Sequence, residues 1–119
     1  MLLRGGHWDG AYYLCGYAVE CALKACIARR VRQHDFPDRD LAGQSNSHNL
    51  AQLVRVAGLE YQLQVALGGN PDLAANWGIV RDWTERSRYE RRREQEARAL
   101  YVATADRRNG VLRWIRRSW

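Results

Sequence analysis

Ala11 to Ala28, AYYLCGYAVECALKACIA, is an 18-residue run with one glycine, no proline and two charges. It reads as the middle of a helix from Trp8 or Asp9 to about Arg32, with Asp9 as N-cap and Arg29, Arg30 and Arg32 placed to suit the C-terminal dipole. Tyr12, Tyr13, Leu14, Tyr17, Val19, Cys21, Leu23, Cys26 and Ile27 take its apolar character nearly all the way round, which places the helix at the centre of a bundle. The run approaches membrane-spanning length, but Glu20 and Lys24 in its middle would each cost about 2.5–3.5 kcal/mol in a bilayer. No membrane association is expected. Cys15, Cys21 and Cys26 are too far apart for a bridge within one helix, the closest pair being separated by roughly 7.5 Å along the axis. They read as small core residues of a reducing compartment.

Outward from this helix, residues 35–46 contain Pro37, Gly43 and several Asp and Ser, and form a loop. Ser47 is a candidate N-cap for a second helix, His48 to Val56, closed by Gly58. A short amphipathic piece, Leu59 to Leu67, precedes a turn at Gly68-Gly69-Asn70-Pro71. Residues 72–87 suggest a short helix and a connection anchored by aromatic residues. A long helix starts near Arg88 to Glu90, and Asn109-Gly110 breaks or kinks it. Strand formers are scarce. The expected fold is an all-α, up-and-down helical bundle with a central buried helix, occupying residues 1–119 as a single domain.

The 119 residues are 46% hydrophobic and 27% charged, an ordinary globular balance that excludes a disordered or fibrous chain. The net charge of +6 is uneven: residues 1–80 carry 7 basic and 7 acidic side chains, whereas residues 81–119 carry 12 and 6. The basic face Arg91, Arg92, Arg93, Arg107 and Arg108 is either a solvated helix surface or a surface for phosphate or an acidic partner. Met1 to Gly10 offers no apolar signal-peptide core, so a cytoplasmic location is expected. His7 and His48 lack Cys or carboxylates at metal-ligand spacing, and no phosphate-cradling glycine loop is present. No metal or cofactor is expected.

Glu20 and Lys24, at i and i+4 inside an apolar helix, form the most informative pair. Burial obliges them to find partners. They form either a structural staple meeting His48, Arg88 or Tyr89, or a binding cluster of Glu20, Lys24, His48, Trp83, Arg88 and Tyr89, with Arg on phosphate and an aromatic ring on a base.

Residues 13–25, YLCGYAVECALKA, followed by Ser47-His48-Asn49-Leu50, Leu53, Gly58, Trp77, Trp83 and Arg88-Tyr89, resemble the HEPN domain family (higher eukaryotes and prokaryotes nucleotide-binding). The likeness covers nearly the whole chain, and the stretch similar to GYAxExxLKA is its specific part. It implies a helical bundle, frequent homodimers, and roles in RNA cleavage, in toxin–antitoxin pairs or beside a small nucleotidyltransferase. Relatives begin with a complete first helix, of which Met1-Leu2-Leu3 resembles only the tail. This shortened helix leaves one side of the central helix open to a partner chain, a second copy, or residues upstream of a different start.

Ribonuclease members of the family carry Arg, four to six residues, then His on a late helix, for phosphorane stabilisation and proton transfer. No histidine follows His48 in this chain, and Arg107-Arg108-Asn109 resembles only the start of the motif. Arg29 and His34 have the spacing but fall at the end of the central helix and in the following loop. The expectation is a module that binds nucleotide, RNA or a partner protein. The alternative is a metal-independent ribonuclease using Arg29 with His34, or Arg88 with His48.

Overall fold

The computed structural model describes residues 7–34, 48–88 and 91–119. These form six α-helices: α1 (Trp8–His34), α2 (Leu50–Val56), α3 (Glu60–Gly69), α4 (Pro71–Val80), α5 (Glu94–Ala105) and α6 (Val111–Arg116), with a 3-10 turn at Glu85–Arg88. Among the described residues there is no strand, and the fold is an all-α bundle. α1 is its centre, packing against α2, α5, α6 and the 3-10 turn. Val19, Leu23, Leu50, Leu53, Leu100, Val111 and Ile115 bury the shared core. No helix among the described residues is long and apolar enough to cross a membrane.

Local chemistry explains where several boundaries fall. Asp9 lies within the first turn of α1 instead of capping it, and its carboxylate accepts the backbone N–H of Arg92. Ser47 lies outside the described residues; the cap of α2 is Asn49, whose side chain accepts the Gln52 N–H at 3.0 Å. At the other end of α2, Gly58 takes φ +76°, and bonds from Gly58 N–H to Arg55 C=O and from Leu59 N–H to Val54 C=O complete a Schellman motif.

The expected turn at 68–71 shrinks to one residue. α3 runs through Gly68 and Gly69, Asn70 caps α4 by accepting from Leu73 N–H at 3.1 Å, and Pro71 stands in the first turn, where its missing N–H costs nothing. The late helix is two helices, because Asp106 accepts the N–H groups of Arg108 and Asn109 at 2.7 and 2.9 Å and turns the chain before α6. α5 starts at Glu94, later than expected, where Arg93 and Glu96 form its cap.

α1 is not buried all round. Leu14 is 50% exposed and Tyr17 44%, and with Ala18, Cys21 and Ala25 they make an uncovered stripe. Cys21 therefore stands in solvent, whereas Cys26 is buried and Cys15 half-buried; all three thiols are free.

Candidate functional site

Glu20 is only 2% exposed; Lys24 and His48 reach its carboxylate, and Glu85 is joined to it only through His48. The helical repeat brings Lys24 Nζ to 3.5 Å from Oε2. The residue just before the Asn49 cap is His48, whose Nδ1 lies 2.8 Å from Glu20 Oε1. The 3-10 turn carries Glu85, whose Oε2 lies 3.3 Å from His48 Nε2. An ionised carboxylate only accepts, so the His48 nitrogen that carries the proton is the one that donates. Each His48 ring nitrogen stands against a carboxylate, Nδ1 against the buried Glu20 and Nε2 against the exposed Glu85, so a substrate reaches the imidazole only by displacing Glu85. The arrangement is a clasp tying α1, the start of α2 and the 3-10 turn together. Because the two carboxylates face different ring nitrogens, they do not converge on one point, and no metal-binding group of three or more His, Cys, Asp or Glu occurs among the described residues.

Of the expected cluster, Glu20, Lys24 and His48 therefore meet. Glu85 joins them, a residue that the sequence reading passed over, 37 residues after His48 in a turn of charged residues. Tyr89 and the Arg88 side chain lie outside the described part of the structure. Trp83 is a core residue, 2% exposed, resting on Gly16 with its ring 5.9 Å from that of Tyr13. It is closed to a ligand base, and its indole N–H has no partner among the described residues.

Arg29 donates to the Trp119 carbonyl at 3.0 Å. α1 runs on through His34 where a following loop was expected, and the His34 side chain lies outside the described part, so the expected Arg29–His34 pair does too.

The basic residues form two groups instead of one face. Arg92 stacks 4.3 Å over the Tyr12 ring and pairs with Glu96 at 3.1 Å, beside the start of α1. Glu96, which accepts the Arg93 N–H and meets the Arg92 side chain, is held below the usual carboxylate range by those contacts. Arg91 is exposed. Arg107 and Arg108 lie beyond the opposite end of α5, about 18 Å away at 1.5 Å per residue over its 12 residues.

A further concave feature went unnoticed in the sequence. α3 and α6 both pack on α4, and the space between them is an open trough made of three adjoining cavities of about 370, 400 and 280 Å³. Gln62, Arg117 and Ser118 are shared by the first two, and Val65, Ala66, Trp114 and Arg117 by the last two. Its traces in the sequence were the Arg113–Arg117 spacing and the exposed Tyr61.

Comparisons with protein-family models, with curated proteins and with solved structures returned no match. The likeness to HEPN domains thus stands on the quoted residues.

Proposed function

We propose that this chain is a HEPN-like helical module that acts by binding an anionic partner of the nucleotide or RNA class, as a homodimer, and not by catalysis. The observation that carries this reading is the carboxylate set against each His48 ring nitrogen, Glu20 at 2.8 Å and Glu85 at 3.3 Å, so that a substrate would have to displace Glu85 to reach the imidazole. The excess of arginine supports the choice of partner, since 12 of the 19 basic residues follow position 80. The open stripe of Leu14, Tyr17 and Cys21 on α1 supports self-association. A toxin–antitoxin or nucleotidyltransferase-paired setting is the context that the HEPN likeness supplies.

Two assays on one preparation test the proposal. Labelled RNA should bind and be released as salt rises, and total RNA should stay intact in EDTA. Metal-free cleavage abolished by His48→Ala or His34→Ala would make the protein a ribonuclease and overturn the binding reading.

A further inference from the structure

The trough between α3 and α6 has a charge pattern that the described fold does not use. Arg29 and Arg30 line one end, Arg117 the middle, and Arg108 and Arg113 the other end, with no acidic side chain among the lining residues. None of the five pairs with an Asp or Glu side chain among the described residues. Arg29, Arg30 and Arg113 each give one bond to a backbone carbonyl, of Trp119, Val56 and Arg107 respectively. A guanidinium has five N–H donors, so most of their capacity faces outward.

Between the basic ends the floor is apolar and aromatic. Trp114 is half-buried there, Val65 is exposed, and Tyr61 stands 80% exposed. We infer that this trough is a binding site for single-stranded nucleic acid, with arginines on successive phosphates and Tyr61 and Trp114 offering faces to bases. The inference rests on the binding function proposed above and gives it a location different from the Glu20–His48 clasp.

Three physical points select this occupant. Guanidinium forks match phosphate oxygens two at a time, and cations separated by an aromatic floor reproduce the alternation of phosphate and base along a single strand. A duplex keeps its base faces inside the stack and out of reach of Tyr61 and Trp114. An acidic amphipathic helix is the competing occupant, but helix-in-groove docking needs apolar anchors across i to i+7, about 10 Å. On α3 the exposed apolar residues that line the trough, Tyr61 and Val65, span one turn, about 6 Å, and the other apolar residues lining it on either side, Leu59, Ala66 and Leu73, are buried or half-buried.

The test is fluorescence anisotropy of the intact protein with a 12-nucleotide oligo-U RNA, the oligo-T DNA counterpart and a 12-base-pair RNA duplex, with poly-glutamate as competitor. Either single strand, or both, should bind better than the duplex, and the log–log salt slope should not exceed about 3.5, at roughly 0.7 per phosphate contact. Tyr61→Ala should weaken single-strand binding about five-fold or more, as the loss of one stacked base does. Arg113→Glu with Arg117→Glu should abolish it while the helical circular dichroism spectrum is retained, the melt falling only slightly through loss of the Arg113 bond to the Arg107 carbonyl. Binding that survives those variants but falls with Arg91→Glu would overturn the trough and leave the binding function standing. Poly-glutamate displacing RNA at equal charge concentration would give the trough to an acidic peptide. Absence of binding to every strand at low salt would overturn both.

Discussion

Gly16 on α1 lies so close to Trp83 that a β-carbon on the glycine would stand 2.2 Å from the indole Cδ2 and Cε2 atoms. The glycine is the seat into which the segment between α4 and the 3-10 turn drops its largest side chain. Gly16→Ala should therefore destabilise by about 1–3 kcal/mol through overpacking, despite alanine's better helix propensity. Trp83→Ala removes the clashing ring, so Gly16→Ala should cost less in that background than in the wild type. Urea unfolding of the four members of the cycle measures the coupling, and strictly additive effects would show that the two residues do not press on each other.

The clasp makes a second prediction. Glu20→Gln keeps the shape but removes the charge that Lys24 and His48 face, and should cost about 1–3 kcal/mol by the usual scale for a lost charged hydrogen bond at a buried site. The cost stays below that of a wholly buried pair because Lys24 and His48 are partly exposed and water can receive them. Asp82→Ala, at an exposed turn carboxylate, is the control and should be nearly silent. Equal melting temperatures for the two variants would remove the clasp from the list of stabilising contacts.

The central helix was legible because an all-round apolar run with two charges has few other solutions, and the Glu20–Lys24 pairing followed from helical spacing alone. The partners of that pair were legible only in part. His48 was expected, but Glu85 was not, since nothing in a charged turn says which carboxylate will face the helix. Trp83 looked like a stacking platform because sequence gives an aromatic ring but not the glycine beneath it. The trough was illegible for a related reason: Arg29 and Arg117 are far apart in the chain, and only the packing of α3 and α6 on α4 brings them to one concavity.

Asp106 gives a pH dependence. Its carboxylate accepts the N–H groups of Asn109 and Arg108, and those bonds hold its pKa below the ordinary aspartate value. A carboxylate depressed in the folded state contributes stability that is fully present above its unfolded pKa, about 3.9, and is lost as pH falls through the lower folded value. Asp106→Asn keeps an acceptor but no proton to gain. The wild type should therefore lose stability more steeply than the variant below about pH 4, with the curves parallel above it. Thermal melts from pH 2 to 7 measure this, and parallel curves throughout would sever the link between Asp106 and the acid limb.

The uncovered stripe on α1 predicts how two copies would meet. Leu14, Ala18, Cys21, Ala25 and Ala28 recur at alternating spacings of four and three, which is the repeat of a helix seam. A homodimer uses one patch twice about a two-fold axis. If the stripe pairs with its own copy antiparallel, position 14 faces position 28 of the second copy, and the axis passes through the middle, at Cys21. Small residues allow helix axes to approach to about 8 Å, close enough for opposed Cys21 side chains to bridge. Burial pushes the Cys15 and Cys26 thiols above the ordinary range and keeps them from competing. Light scattering at micromolar concentration should give twice the chain mass of 13.8 kDa, and Leu14→Glu should shift it to one chain. Mild oxidation should produce a covalent dimer that Cys21→Ser abolishes and Cys15→Ser spares. A single-chain mass throughout the dilution series would leave the stripe as ordinary exposed surface, and a dimer without the Cys21 bridge would place its two-fold axis elsewhere.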